Sequence, residues 1–199
     1  SLEIDDQPGR YLPCLKGVTP EGENIAMGLS CFALKTYHML GQWEKLDHGY
    51  QNSWISFIKS FQYIDNDTQN NSFKKNAFID PVLINYLESN KAPFSVRSAV
   101  KRILKPGQPK EFLNSTERAV IAETKQALAT LAEVDEFSNQ PYGWFPKTPR
   151  IVTDYMEKFN WSQPWAAGGQ TAALPVFFFL EATRTMPASN VKGLQEAAS

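Results

Sequence analysis

Apolar residues recur along this chain at three- and four-residue spacing, and Pro, Gly and short polar runs interrupt the pattern again and again. Such spacing places side chains on one face of a helix. Ile25, Leu29, Phe32, Ala33, Tyr37 and Leu40 predict a helix from about Glu23 to Leu40, which Gly41 stops. Tyr50, Trp54, Phe57 and Phe61 form one stripe of a second helix, Asp47–Gln62. After a polar loop, Asp80-Pro81 reads as cap and first turn of a third, with Val82, Leu83, Tyr86 and Leu87 inward. Ser95 begins a fourth, which Pro106-Gly107 ends.

The strongest helix spans Ser115–Val134, with Ile121, Leu128, Leu131 and Val134 as its apolar stripe. Thr148-Pro149 repeats the cap-plus-proline device before Ile151, Val152, Tyr155 and Phe159. A last helix within Ala166–Thr185 is apolar on nearly every face and is expected at the centre of the fold, where Pro175 must start or kink it. No segment alternates with a period of two. The expectation is an all-α fold of stacked αα-hairpins. Residues 1–22, rich in Pro and Gly, read as an irregular lead-in, and 23–199 as a single helical domain.

The run Trp54-Ile55-Ser56-Phe57-Ile58-Lys59-Ser60-Phe61-Gln62, a polar loop, and then Asn76-Ala77-Phe78-Ile79-Asp80-Pro81 resembles the repeat of the α/α-toroid superfamily. That superfamily includes terpenoid cyclases and protein prenyltransferase β subunits. In its repeat, a helix ending in Gln leads through a turn with an aromatic residue into a new helix. The resemblance covers about residues 25–90, with a fainter echo in 115–180. It implies an α/α-toroid or part of one. The usual turn glycines are replaced by Asn, Ser and Lys, and neither an acidic D-x-D-D cluster nor an Asp/Cys/His zinc set is present. The resemblance therefore implies the fold without those two activities.

Aromatics make up 13 % of the chain, enough to line a cavity as well as fill a core. Trp144, Trp161 and Trp165 fall beside Pro and Gly in helix-connecting segments. Together with Gln170 they are candidate ligand-binding residues, since aromatic faces can stack on sugar rings or shield an apolar ligand. The alternative is that the tryptophans staple loops and Gly168-Gly169 permits tight helix packing. Arg97, Lys101 and Lys105 share one face of the 95–106 helix and are candidates for holding an anion. Glu123 and Asp135 are candidate catalytic carboxylates, provided that a pair converges in a cleft. Asp65 and Asp67 lie in the polar loop without the remaining ligands of a calcium site.

The net charge of -1 gives no reason to expect nucleic acid. Cys14 and Cys31 have no metal-ligand pattern, and His38 and His48 no metal-binding spacing, so neither a metal nor another cofactor is expected. The longest apolar run, Ala172–Leu180, is too short to cross a bilayer. A soluble chain is expected, with its compartment open and the cytoplasm favoured. The absence of an initial Met, and a helix beginning only near Gly193, read as a fragment or a processed chain. Two functions follow. One is a ligand-handling domain with an aromatic-lined cavity for a carbohydrate or isoprenoid-like molecule. The other is a non-catalytic protein-interaction module.

Overall fold

The computed structural model describes residues 2–4, 7–64, 73–89 and 113–198. The described residues are helical, with two isolated β-bridges and no strand. Among them no helix is long and apolar enough to cross a membrane. The helix expected at 95–106, the Asp65/Asp67 loop and the Arg97, Lys101 and Lys105 face lie outside the described residues.

The first predicted helix is two. Pro20–Asn24 forms α1, capped by the Thr19 hydroxyl on Gly22 N–H (3.1 Å). Ile25 is extended, and Met27–Met39 forms α2. Met27, Ser30, Cys31 and Leu34 of α2 are buried at one-turn spacing. A 3-10 turn at Trp43–Lys45 leads into α3, His48–Ser60, whose Asp47 cap accepts from Gly49 and Tyr50 N–H. Thus α2 and α3 form a helical hairpin.

Asp80 carries the next junction. It is buried, and its Oδ1 accepts from Val82 N–H (3.0 Å) and Leu83 N–H (3.5 Å), capping α4, Pro81–Ser89. Its Oδ2 accepts from Ala26 N–H (2.8 Å) and Met27 N–H (3.2 Å), which begin α2. One carboxylate therefore satisfies first-turn donors of two helices and meets the positive ends of both dipoles.

The hub is α5, Ser115–Ala132, which opens with a capping box between Asn114 and Glu117. It touches α2 and α4, and also α7 (Pro164–Thr171) and α8 (Ala173–Phe177). The helix expected at the centre is instead a kinked rod of α7, α8, a π-helical turn at Phe178–Ala182 and α9, Thr183–Thr185. Pro175 has no N–H to return to Thr171, and the rod breaks at Ala172. Its inner face buries Ala173, Leu174, Phe177, Phe178 and Ala182, while Trp165, Ala172, Pro175 and Phe179 are exposed. Its uniform apolarity gave no direction, and packing against α5 supplied one. Between α5 and the rod, Pro149–Glu157 forms α6, which packs on the final helix α10, Ala188–Ala198.

The first part of the lead-in packs on the helices, while residues 13–17 are exposed. Residues 2–4 pair with 10–12 through Ile4 N–H to Arg10 O (2.9 Å) and Leu12 N–H to Leu2 O (2.8 Å). Glu3 accepts from the Tyr50 hydroxyl and from Gly9 N–H. Trp54 is fully buried among Tyr11, Tyr37, Trp43 and Tyr50, and its indole N–H donates to Ser30 Oγ (2.8 Å). Gly9, at φ +82°, lies so close that an added Cβ would stand 2.3 Å from the Trp54 ring.

Replacing Asp80 with Ala strands four N–H groups and is expected to cost roughly 2–4 kcal/mol, read as a lower urea midpoint. Asp80→Asn keeps one acceptor oxygen and should lose less.

Candidate functional site

Among the described residues, a concavity lies between residues 143–147 and the outer side of α6. It is a cleft of ≈ 360 Å³ lined by Gly143, Trp144, Phe145, Pro146, Lys147, Ile151, Tyr155 and Lys158. Ile151, Tyr155 and Lys158 recur along one side of α6 and its C-terminal cap, which Thr148 and Pro149 start in the expected way.

The opposite wall is a loop without secondary structure, held by side chains from three distant elements. Gln62 pairs with Gln140 as a strand neighbour would: its Nε2 donates to Gln140 O (2.6 Å) and its Oε1 accepts from Gln140 N–H (3.0 Å). Asn76 Nδ2 donates to Pro141 O (2.9 Å). Glu181, buried in the π-helical turn, accepts from Tyr142 N–H (2.8 Å) and Ser138 Oγ (3.2 Å). Arg184 completes this network with its Nη1 on Ser138 Oγ (2.8 Å) and on Glu181 Oε1 (3.3 Å). Burial raises the Glu181 carboxyl above its ordinary value, and the Arg184 guanidinium pulls the other way. π-turns recur at functional sites, and this one aims Glu181 at the loop.

The rings of the loop then pack predictably. Phe145 stacks on Phe177 (6.0 Å, 26°) and meets Phe178 edge-on, which buries it. Trp144 stays half-buried, edge-on to Phe73 (6.2 Å), and faces the cleft. The Lys147 ammonium lies 5.8 Å above the Phe145 ring at the cleft's edge. Tyr155 is buried, and burial, ahead of the nearby Glu117 charge, pushes its phenol up to about 12, so it is a neutral hydroxyl at physiological pH.

No protein-family model, curated protein or solved structure matches the chain. The arrangement is therefore read on its own chemistry.

Of the residues expected to bind a ligand, the structure places only Trp144 in this cleft. Trp161 is 49 % exposed and donates its indole N–H to Met156 O (2.9 Å), stapling the connecting loop to the end of α6. Trp165 is 95 % exposed on the first turn of α7. Gln170 is half-buried on α7, and its Oε1 is buried without a hydrogen bond. The three tryptophans do not line this cleft together: Trp144 lies in the loop before α6, Trp161 in the turn after it and Trp165 on α7. The residues that sequence reading passed over are Phe145, Lys147, Ile151, Tyr155 and Lys158. Their signal was the Ile151, Tyr155 and Lys158 spacing directly after Trp144.

The two candidate carboxylates do not converge. Asp135 is exposed at φ +57° and closes α5 in a left-handed turn, with its own N–H on Ala132 O (3.2 Å) and Glu136 N–H on Leu131 O (2.9 Å). Twelve residues separate it from Glu123, roughly 18 Å along a helix. Glu123 lies at the α2–α5 contact, where a Cβ on Gly28 would stand 3.5 Å from its Oε1. Its Oε2 is buried without a hydrogen bond. Burial, and then the Asp80 carboxylate, push Glu123 up to about 7. The neighbouring Cys31 thiol is pushed up to about 12, chiefly by burial, and is inert. Among the described residues no group of three or more metal-capable side chains gathers.

A folded-state value near 7 against 4.5 when unfolded means that the fold holds a proton that the unfolded chain has released. The Glu123 contribution is present below about pH 4.5 and lost as pH rises through 7. Glu123→Gln should therefore gain in melting temperature over the native chain between pH 4.5 and 7, with the gain constant above that range. A pH-independent difference would rule out this account.

Proposed function

We propose that this chain is a ligand-binding helical domain whose 143–158 cleft takes an apolar, isoprenoid-like molecule. The observation that carries the reading is the lining itself. Trp144, Phe145, Pro146, Ile151 and Tyr155 supply apolar and aromatic surface, with Lys147 and Lys158 at the margins. The volume falls at the lower end of that usual for small-molecule sites. A carbohydrate fits this lining less well, because burying its many hydroxyls requires a matching set of hydrogen-bond partners. An apolar chain needs none of these and gains from each ring it covers.

The reading is one of binding. The cleft's edge carries cations, and the candidate acid Glu123 is not among its lining residues. We further propose that the bundle is an arc of an α/α-toroid. The Gln62–Asn76–Asp80 junction supports this, because the Gln that ends α3 is turned inward and engaged with main chain on both sides, at Asn76 O (2.9 Å) and Gln140 O (2.6 Å).

Titrating a prenyl alcohol against the protein by calorimetry tests the reading, with a neutral oligosaccharide alongside. Saturable binding of the prenyl alcohol is expected, weakened about tenfold by Trp144→Ala, since a lost aromatic contact is worth about 1.4 kcal/mol. Trp161→Ala should bind as the native chain does. Binding of the oligosaccharide alone, or of neither, refutes the proposal.

A further inference from the structure

The charges that line the 143–158 cleft are all of one sign. Its lining includes Lys147 and Lys158 and no Asp or Glu. Asp154 and Glu157 of α6, though close in sequence, are not among the lining residues. The two lysines sit on opposite walls, Lys147 at the end of the loop and Lys158 at the C-terminal cap of α6.

Lys147 is exposed, yet its ammonium turns back over the loop that carries it. It lies 5.8 Å above the Phe145 ring, and a Cβ on Gly143 would stand 3.6 Å from its Nζ. The missing side chain at Gly143 leaves the room for this. Ring faces attract cations, and lysine stems cover apolar surface while the charge stays at the margin. Among the described residues no carboxylate forms an ion pair with Lys147. Nor do the main-chain N–H groups of Gly143, Trp144, Phe145 and Lys147 find an acceptor among the described residues. The loop wall therefore keeps a placed cation and several donors without a partner of opposite charge.

We propose that the molecule held in this cleft is an amphiphile ending in a carboxylate. Its chain covers Trp144, Ile151 and Tyr155, and its head lies against Lys147, with Lys158 on the other wall. This rests on the cleft being the binding site, and it adds a head group to the apolar chain already assigned. Charge-assisted N–H bonds to a carboxylate are shorter and stronger than those to an alcohol. At the margin of the cleft the head keeps part of its water, so the cost of burying a charge is largely avoided. A carboxylate answers the one ammonium above the Phe145 ring with one charge, whereas a phosphate monoester brings close to two at pH 7. A cationic ligand is repelled by the same lining.

Calorimetry with farnesol, farnesoic acid and farnesyl monophosphate at neutral pH tests the proposal, since these share one chain and differ at the head. The acid should bind roughly tenfold more tightly than the alcohol, and the advantage should shrink as salt is raised. Lys147→Met should remove most of that advantage and leave the affinity for the alcohol unchanged, while Lys147→Arg keeps it. Lys16→Met, the same change of net charge at a residue that does not line the cleft, should leave it intact. Trp144→Ala should weaken acid and alcohol alike. An advantage that survives Lys147→Met, or is lost equally in Lys16→Met, overturns the proposal. A monophosphate that binds more tightly than the acid overturns the carboxylate head. Equal binding of acid and alcohol overturns this inference alone and leaves the apolar cleft standing. Binding of neither refutes the cleft as the site, and this inference with it.

Discussion

Asp80 joins two helices that are distant in sequence. Its two oxygens accept from Ala26 and Met27 on one side and from Val82 and Leu83 on the other, so α2 and α4 must start at the same point in space. α5 packs against both, and Thr124 of α5 accepts from Phe78 N–H (3.0 Å) two residues before the shared cap. A buried carboxylate is tolerated because four N–H dipoles replace its water. The charge is also felt nearby: it is the second cause, after burial, of the raised proton affinity of Glu123.

The same device recurs wherever chain without secondary structure must be held. Gln62, Asn76 and Glu181 each reach main chain across 39 to 78 residues of sequence and fix the 138–142 loop. Glu3 does so for the N-terminal segment. Each is a polar side chain at a helix end or in a turn that supplies the bonds an α-helix would otherwise make for itself. The cleft beside Trp144 thus exists because distant elements hold its wall, and α6 alone would offer only a flat side.

Local signals were legible where their cause was local. The caps at Thr148 and Asp80, each followed by a proline, and the strong α5 could be read, because a short polar side chain beside a helix start needs only its own neighbours to act. The break at Ile25 was hidden, because it follows from Asp80, more than fifty residues away, choosing Ala26 and Met27. The packed lead-in was hidden too. Pro and Gly announce irregular backbone, yet whether that backbone covers Trp54 depends on Glu3 meeting Tyr50. Of the site, Trp144 was legible. Its cleft partners were not, since a loop's contacts depend on what holds it.

The sequence by itself determined that the described residues are helical without strands, where several helices begin, and which residues are apolar enough to bury, because these depend on backbone sterics and on spacing within a few turns. Which face of an all-apolar rod turns inward carries no such mark. Trp165 and Phe179 are large apolar side chains like Leu174 and Phe177, and only contact with α5 separated one set from the other. Tertiary structure likewise set Trp144 apart from Trp161 and Trp165, because convergence of distant segments is decided by packing, whereas Glu123 and Asp135 are kept apart by the rise of α5 alone.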